Sequence, residues 1–320
     1  MFIHTLSEAD VRAVLTMDVA IAAVEASFRK VALDEATAVP RQRCQTDHVM
    51  LHVLPASAKT LNALGFKAYT TGRFATQFHV YLFDPLRGAL SAIISADYLG
   101  QVRTGAASAV ATRLLARPEA TRLGVYGSGG QARTQLEAVA RVSQLGRVCV
   151  FSRDAVKRAK FCTEMSAALQ LDVVPVDTPE QAARNQDIII TATTSREPVL
   201  HGDWIAPGTH LNIMGSNQLS KAEIDIAAVT KCSLITIDSK EQGRQECGDF
   251  KAALDANALH WSDVKEFAAV LVGRYPGRTS ESEITMFKSL GLGVQDIAVA
   301  VPVLAEAKRR GLGHTVELGS

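Results

Sequence analysis

The fold is decided by one stretch, Arg122-Leu123-Gly124-Val125-Tyr126-Gly127-Ser128-Gly129-Gly130-Gln131-Ala132. Its pattern is that of a buried strand that enters a glycine turn and then a helix. Glycines let the backbone turn sharply and approach a pyrophosphate, and the free N–H groups at the helix start receive the negative charge. The spacing G-x-G-x-x-A therefore indicates a dinucleotide site, provided that the flanking segments form the matching fold.

The segment that follows Thr121 alternates strand-like and helical runs. Predicted strands are Arg122–Tyr126, Val148–Phe151, Asp172–Val176, Asp187–Thr191, His210–Met214 and Leu234–Ile237, and predicted helices are Gln131–Leu145, Asp154–Leu169 and Pro179–Asn185. This alternation is typical of a parallel sheet with helices on both faces, that is, of an α/β Rossmann domain. We place that domain at residues 119–292.

The N-terminal part has a different pattern. A helix is predicted from Ser7 to Leu33, and β-type runs follow at Val49–Leu54, Gly65–Thr70, Phe78–Phe83 and Ala89–Ile94, before a small-residue helix from Ala96 to Ala116. The short turns between the runs favour an antiparallel or meandering sheet. We expect the amphipathic helix from Gly293 to Arg310 to pack back on this part. The predicted first domain is therefore discontinuous and α+β, with residues 1–118 and 293–320.

Composition narrows the class of protein. The 320 residues are 47% hydrophobic and 21% charged with a net charge of +1, which excludes a disordered chain and gives no reason to invoke nucleic acid or a membrane as partner. No apolar run approaches the ~18 residues of a membrane span. The five cysteines have no C-x-x-C spacing, so neither a disulfide framework nor a metal site is indicated. We expect a cytoplasmic protein.

The end of the second Rossmann strand bears on the choice of dinucleotide. An NAD-specific site has an acidic residue there, whereas this chain has Ser152-Arg153, followed by Lys157 and Arg158. A guanidinium can hold a 2′-phosphate in a forked contact and a hydroxyl can donate to it, which favours NADP(H). The alternative is NAD(H), with Asp154 on the ribose and Arg153 solvated or against the adenine.

Catalytic candidates come from the N-terminal part. Lys67 stands in a strand-like run, where the alternative to a functional role is an edge strand with the ammonium in water. Arg103 lies in the opening turns of the small-residue helix, where it opposes the helix dipole unless it binds an anion such as a substrate carboxylate. Arg41 follows Pro40 in a loop and is either a further anion-binding residue or plain surface charge.

These residues carry a resemblance to a known family. The chain resembles the ornithine cyclodeaminase/μ-crystallin family in Arg103-Thr104, in Gly127-x-Gly129-x-Gln131-Ala132, in Thr191-Ala192-Thr193-Thr194-Ser195, in Gly208-Thr209-His210-Leu211-Asn212, and in Phe287-Lys288-Ser289-Leu290-Gly291 with Gln295-Asp296. The resemblance implies a homodimer with its contact in the N-terminal domain, and hydride transfer between NAD(P) and the α-carbon of an amino or imino acid.

The same resemblance assigns roles to residues. It implies that Arg41, Lys67 and Arg103 grip the substrate carboxylate, and that Lys67 also donates a proton to, or polarises, the reacting C=N. The implied cofactor contacts are Thr104, Gly127, Ser128, Gly129, Gly130, Gln131, Ala132, Ser152, Arg153, Thr191, Ala192, Thr193, Gly215 and Ser216.

Departures from the family pattern bear on the reaction. Asn217 takes the place of an aspartate that cyclodeaminases and the related alanine dehydrogenase carry, and an amide cannot act as a carboxylate base. His52 stands where other members have Glu or Arg, and is either a proton donor or a satisfied polar group on a strand. Gln77 and His79 are expected near substrate and nicotinamide, and Asp296 either favours its helix N-terminus or faces the cleft.

The sequence thus predicts an NAD(P)H-dependent reductase of a small, cyclic α-imino acid such as Δ1-pyrroline-2-carboxylate, which yields the L-amino acid. An ornithine cyclodeaminase or an alanine or other amino-acid dehydrogenase is the alternative, and a non-catalytic crystallin-like NADP-binding protein is a third hypothesis. The substrate side chain depends on loops such as Thr70–Thr76.

Overall fold

The computed structural model describes residues 2–73, 76–317 and 319, so part of the loop Thr70–Thr76 lies outside the described residues. The chain divides into two compact units, one of Met1–Thr104 with Gly291–Ser320 and one of Gly105–Leu290. The folding domains predicted from the sequence, with limits after residues 118 and 292, stay a prediction.

The helices and strands follow one another along the chain with short connections. In order they are β1 (Phe2–Leu6), α1 (Glu8–Val14), α2 (Met17–Ala32), β2 (Ala36–Ala38), β3 (Gln42–Gln45), β4 (Val49–Ala58), β5 (Ala63–Gly72), β6 (Phe78–Phe83), β7 (Leu90–Ser95), α3 (Asp97–Leu115), β8 (Arg122–Tyr126), α4 (Gly130–Ala140), β9 (Arg147–Phe151), α5 (Ala155–Leu169), β10 (Asp172–Pro175), β11 (Ile188–Thr191), β12 (His210–Ile213), α6 (Ile226–Thr230), β13 (Leu234–Ile237), α7 (Lys240–Glu246), α8 (Gly248–Asp255), β14 (Lys265–Glu266), α9 (Phe267–Leu271), β15 (Thr285–Lys288), α10 (Gly293–Arg309) and β16 (His314–Glu317).

The first unit is built on a mixed sheet with the strand order β16-β1-β7-β6-β5-β4-β2, and β3 pairs with β4. Strands β4 to β7 form the expected antiparallel meander, while β1 lies parallel to β7. Helix α10 packs against α2 and against β4, β5 and β6. This unit is therefore a two-layer α+β arrangement in which the C-terminal helix covers the central strands.

The second unit is a parallel sheet with the order β10-β9-β8-β11-β12-β15-β13-β14. Residues that alternate along β11 belong to different cores: Ile188 and Ile190 pack in a cluster with Leu136 of α4 and Phe161 of α5, and Ile189 packs in a cluster with Phe250 of α8. A parallel sheet that is buried on both faces is the Rossmann arrangement. The predicted fold class is confirmed.

Two helix predictions are wrong. The single helix from Ser7 to Leu33 is two helices, because Ser7 and Thr16 each cap a separate start: their hydroxyl oxygens accept from the N–H groups of Asp10 at 3.2 Å and of Val19 at 3.3 Å. The segment from Pro179 to Asn185 contains only a 3₁₀ turn, at Glu180–Ala182.

Two features are absent from the part of the chain that the structure describes. No helix there has both the length and the apolar character that crossing a membrane requires. No group of three or more His, Cys, Asp or Glu side chains there is arranged to hold a metal ion.

Candidate functional site

Lys67 lies in the centre of the first sheet. Its strand β5 is hydrogen-bonded on both sides, and in the register Lys67 pairs with Leu54 of β4 and Val80 of β6. Only 3% of the residue is exposed. The alternative of an edge strand with Lys67 in water is therefore wrong, and a buried ammonium needs a compensating charge.

Asp296 supplies that charge to two buried cations. It lies in the first turn of α10 and is fully buried. Its Oδ1 accepts from Lys67 Nζ at 2.9 Å and from Arg103 Nε at 3.0 Å. Its other oxygen, Oδ2, is buried without a hydrogen-bond partner among the described residues. A carboxylate oxygen left in this way can accept a hydrogen bond from a ligand.

Arg41 and Gln295 complete what we call the basic cluster, namely Arg41, Lys67, Arg103, Gln295 and Asp296. Arg103 Nη1 donates to Gln295 Oε1 at 3.1 Å, and Arg41 Nη2 donates to the carbonyl oxygen of Gly291 at 3.4 Å. All five side chains belong to buried residues. Three cations and one carboxylate leave a formal charge of +2, which favours binding of an anionic group such as a carboxylate.

The basic cluster brings the pKa of the Lys67 ammonium close to neutral pH. Burial lowers the pKa of Lys67 to about 8, although the charge of Asp296 partly opposes this shift. Burial alone would raise the pKa of Asp296, but the charges of Arg103 and Lys67 outweigh it and hold the pKa below its ordinary value. At neutral pH the cluster therefore contains an ionised carboxylate and an ammonium that can readily release its proton.

Two glycines make room for the cationic groups. A Cβ on Gly100, in α3, would lie 2.7 Å from Lys67 Nζ, and a Cβ on Gly291 would lie 2.8 Å from Arg103 Nη1. Gly291 also has a φ of +80°, which favours glycine.

Arg103 itself lies in the second turn of α3, since that helix begins at Asp97. The unfavourable interaction of the Arg103 charge with the helix dipole is therefore offset chiefly by Asp296 rather than by an anion at the helix start.

His52 is a satisfied polar group on β4. Its ring stacks on Tyr69 with centroids 4.2 Å apart, its Nδ1 accepts from Arg43 Nε at 3.2 Å, and its Nε2 lies 2.9 Å from Thr71 Oγ1. Burial and the charges of Arg43 and Arg41 lower the pKa of His52 to about 4. The imidazole is thus neutral at pH 7, which favours the second of the two interpretations of this residue.

The structure does not bring Gln77 and His79 to Lys67. Val80 pairs with Lys67, so His79, one residue earlier on β6, points to the opposite face of the sheet. Gln77 precedes the strand and is exposed. Phe78 does share the face of Lys67, and its ring lies 5.4 Å from Lys67 Nζ. The aromatic side chain is therefore a better candidate wall for the substrate than its two polar neighbours.

The glycine turn of the second unit has the shape that a pyrophosphate requires. Gly127 has a φ of +118°, and a Cβ there would lie 2.5 Å from the carbonyl oxygen of Ala192. A Cβ on Gly129 would meet nothing within 4 Å, so this face of the turn is open. Helix α4 begins at Gly130 without a side-chain cap, and its first N–H groups are available to an anion. These residues fit a dinucleotide phosphate.

The end of β9 presents hydroxyl and guanidinium groups. Ser152 Oγ lies 3.0 Å from Ser128 Oγ, and Arg153 is exposed. Asp154 caps α5, where its Oδ1 accepts from the N–H of Lys157 at 3.0 Å. Arg158 is buried and donates to the carbonyl oxygen of Ser152 at 2.6 Å. The carboxylate of Asp154 is thus engaged in its own helix although the residue is exposed, while Arg153 is exposed and Ser152 is half-buried.

The remaining predicted residues lie at the end of β11, in the loops after β11 and β12, and in the helices α3 and α4. Thr191 and Ser216 are buried, and Ala192, Thr193 and Asn217 are half-buried. The hydroxyl of Ser216 donates to the carbonyl oxygens of its own loop, at 3.3 Å for Gln218 and 3.2 Å for Lys221. In the first unit, Thr104 Oγ1 donates to the carbonyl oxygen of Gly100 at 2.7 Å, and Gln131 of the second unit is exposed.

Sequence reasoning missed Gln295 as a partner of Arg103 and missed Glu223 altogether. Glu223 is fully buried and accepts hydrogen bonds from Thr191, Thr193 and Gly215, three of the predicted cofactor residues. In the sequence, Glu223 is only a carboxylate eight residues after Gly215 in a polar stretch. That pattern is typical of an exposed residue.

Known proteins match this chain along nearly its whole length. The ornithine cyclodeaminase/mu-crystallin family model matches residues 3–311. The chain is 31% identical over 325 residues to an alanine dehydrogenase from Archaeoglobus fulgidus, which covers 98% of this chain and 97% of the relative.

Two solved structures share the fold. The structure of Thermococcus litoralis Δ1-pyrroline-2-carboxylate reductase in complex with NADH and L-proline matches with a TM-score of 0.94 at 31% identity, over 98% of this chain and 100% of that one. An archaeal alanine dehydrogenase dimer with bound NAD matches with a TM-score of 0.94 at 30% identity, over 100% of both chains.

Proposed function

The chain belongs to the ornithine cyclodeaminase/mu-crystallin family, and from that premise we propose that it is an NAD(P)H-dependent reductase of a small, cyclic α-imino acid such as Δ1-pyrroline-2-carboxylate. The product is the corresponding L-amino acid. The observation that carries the proposal is the buried cluster of Lys67, Arg103 and Asp296, which joins carboxylate-binding charge to an ammonium with a pKa of about 8.

In this proposal Arg41 and Arg103 bind the substrate carboxylate through charge-assisted hydrogen bonds. Lys67 donates a proton to the imine nitrogen, since a pKa of about 8 leaves it mostly protonated at pH 7 while making transfer easy. Asp296 holds Lys67 and Arg103 in place through its Oδ1. A nicotinamide held at the glycine turn would supply the hydride, and this hydride together with the proton from Lys67 would convert C=N to CH–NH.

His52 has no part in proton donation in this mechanism. Its ring is neutral at pH 7 and both its nitrogens are hydrogen-bonded. Asn217 fits imine reduction, which needs only one proton, better than cyclodeamination, which needs a base. We therefore place His52 as a support for the sheet beside Lys67, and we assign Asn217 no role as a base.

We propose NADP(H) as the preferred dinucleotide, with NAD(H) as the second possibility. The support is that the carboxylate of Asp154 is engaged as a helix cap, whereas at the end of β9 the guanidinium of Arg153 is exposed and Ser152 is half-buried. NADH and NAD occupy the related reductase and dehydrogenase structures, so both cofactors have to be compared directly.

A homodimer is also part of the proposal. The face of the first sheet opposite Lys67 carries Phe66, Tyr81 and Phe83, which are half-buried and packed on one another, with Phe66 and Tyr81 stacked at 4.6 Å between centroids. Aromatic side chains on a half-exposed sheet face are suited to a protein interface. The archaeal alanine dehydrogenase is a dimer, and sedimentation of this chain tests the same state.

An amino-acid dehydrogenase is the second candidate, because the chain is 31% identical to an alanine dehydrogenase. Oxidation of NADPH and NADH is measured with Δ1-pyrroline-2-carboxylate and, separately, with pyruvate plus ammonia. The proposal predicts turnover of the cyclic imine with kcat/KM at least about tenfold above that for pyruvate and ammonia. The reverse order would establish the dehydrogenase, and ammonia release from ornithine without added cofactor would establish the cyclodeaminase.

Lys67→Ala and Arg103→Ala test the site itself. Lys67→Ala is expected to lower kcat/KM by at least about a hundredfold, since general acid catalysis contributes about 10²–10⁴-fold. Arg103→Ala is expected to lower it by at least about tenfold, since a hydrogen bond to a charged group contributes about 1.5–3 kcal/mol. His52→Gln is the matched control on the neighbouring strand and should retain kcat/KM within about threefold, because the amide replaces a neutral polar group. Equal losses in all three variants would contradict the assignment.

A further inference from the structure

We propose that Glu223 is a positioning residue for the dinucleotide, and this rests on the proposed cofactor site of the second unit. Its carboxylate ties together two loops at the carboxyl ends of adjacent parallel strands. Thr191 Oγ1 donates to it at 2.8 Å and the N–H of Thr193 at 2.7 Å, both from the end of β11. The N–H of Gly215, after β12, donates at 2.6 Å.

The loops that Glu223 holds adjoin the glycine turn. Ala192 lies between the two residues that Glu223 binds after β11, and its N–H donates to the carbonyl oxygen of Tyr126, at the end of β8, at 2.9 Å. The Ala192 carbonyl oxygen lies where a Cβ on Gly127 would meet it. Ligands of such sheets bind at the carboxyl ends of the strands, so the position of these loops sets one wall of the dinucleotide site.

Gly215 has to be a glycine for this arrangement to exist. A Cβ there would collide with Glu223 Oε1 and with the carbonyl oxygen of Thr193. The close approach of the Gly215 backbone to the Thr193 loop therefore depends on the carboxylate between them, which accepts an N–H from each side.

A second buried pair anchors Glu223. The N–H of Glu223 donates to Asp249 Oδ1 at 2.6 Å, and Asp249 Oδ2 pairs with Lys288 Nζ at 2.7 Å. Lys288 Nζ also donates to the carbonyl oxygen of Ser216 at 2.7 Å. Glu223, Asp249 and Lys288 are each at most 2% exposed. Burying these groups costs free energy compared with apolar packing. Glu223 and Lys288 contact the loops directly, and Asp249 joins the two.

Glu223→Gln is the informative substitution. The amide keeps the size of the side chain but offers one acceptor oxygen, so its NH₂ must face either the N–H of Thr193 or the N–H of Gly215. The hydroxyl of Thr191 can turn to accept, whereas a backbone N–H cannot. One of the two loops is therefore released.

The test is titration of the purified protein with NADPH and NADH, without imino acid, followed by calorimetry or fluorescence. We expect Glu223→Gln to raise Kd at least tenfold and to raise KM for the dinucleotide equally. The kcat at saturating dinucleotide and the KM for the imino acid should stay within about threefold, a separation that general unfolding would not produce.

Asp187→Asn is the matched control. Asp187 accepts from the N–H groups of Thr121 and Arg122, each at 2.9 Å, and from Arg117, but it precedes β11 and lies at the amino end of the sheet. It should lower thermal stability by a similar amount and leave Kd within twofold. Thr191→Val, which removes one donor, should raise Kd about threefold and serves if Glu223→Gln does not fold.

The outcomes separate this inference from the proposed function. If the wild type binds dinucleotide and Glu223→Gln and Thr191→Val bind it equally well, the positioning role is refuted and the proposed function stands. If Asp187→Asn weakens binding as much as Glu223→Gln, Glu223 acts only through stability and the inference is also refuted. If the wild type binds no dinucleotide, the positioning role of Glu223 and the proposed function are both refuted.

Discussion

Replacing Asp296 by Asn removes one negative charge from between two buried cations. The amide oxygen can still accept from Lys67 Nζ and Arg103 Nε, which now lie 2.9 and 3.0 Å from Asp296 Oδ1. The geometry of the basic cluster can thus survive, and the main change is electrostatic. Because the charge of Asp296 raises the pKa of Lys67 against the effect of burial, its loss must lower that pKa further.

The size of the effect follows from the separation of the charges. An opposite charge within ~4–6 Å shifts a pKa by about 1–3 units. From a starting pKa of about 8 for Lys67, the variant should titrate at about 5–7. Since the mechanism needs the ammonium, kcat/KM falls as the pH rises through this pKa. At pH 8 the protonated fraction drops from about half to about a tenth or less, so kcat/KM falls at least about fivefold.

The assay is kcat/KM for imine reduction between pH 5 and pH 10, which reports groups of the free enzyme and free substrate. The midpoint of the alkaline limb should move from about 8 in the wild type to below 7 in Asp296→Asn. Asp225→Asn is the control, since Asp225 accepts from the N–H groups of Gly202 and Ala228 in the second unit, and it should leave the midpoint unchanged. An alkaline limb that does not move in Asp296→Asn would refute the assignment of Lys67 as the titrating acid.

Four further substitutions have distinct expected outcomes. Gly100→Ala should lower kcat/KM at least about tenfold by displacing Lys67 Nζ, 2.7 Å from the new Cβ. It should also lower Tm, because disturbing the buried contact of Lys67 with Asp296 costs more than the ~0.5–1 kcal/mol that Ala adds to a helix. Unchanged kcat/KM would count against the basic cluster. Gly129→Ala should leave Tm within about 2 °C and raise the dinucleotide Kd at least about tenfold. Gly127 has a φ of +118°, so Gly127→Ala should lower the free energy of unfolding by about 1–3 kcal/mol. Calorimetry separates the two variants, and equal effects on Tm would contradict the turn geometry. Arg153→Ala should raise KM for NADPH at least about tenfold and leave KM for NADH within about twofold, and an equal change in both would remove the support for NADP(H).

The periodicity of the sequence predicted the strands β8 to β13 and the helices α4 and α5 of the second unit, but not β14, β15 or the short helices α6 to α9. The glycine turn stands at the start of an uncapped helix of eleven residues, as the spacing indicates. The motif resemblance was likewise confirmed by the family match over residues 3–311. Local pattern is informative here because each βαβ unit is built from residues adjacent in sequence.

The partners within the basic cluster were harder to infer. Asp296 and Lys67 are separated by 229 residues and Gln295 and Arg103 by 192, so no spacing rule links them. Alternation along β6 could have placed His79 away from Lys67, but only once the register with β5 was known. Glu223 was missed for a similar reason, since its burial follows from tertiary packing and leaves no periodic signal.

The most direct test of the proposed reaction uses NADPH that carries deuterium at the transferred position of the nicotinamide. The protein is incubated with this cofactor and Δ1-pyrroline-2-carboxylate, and the amino acid product is examined by NMR and mass spectrometry. The proposed reaction yields L-proline with one deuterium on its α-carbon, formed in proportion to the NADPH consumed. Cofactor consumption without deuterium at that carbon, or no consumption of NADPH or NADH in the presence of the imine, would contradict it.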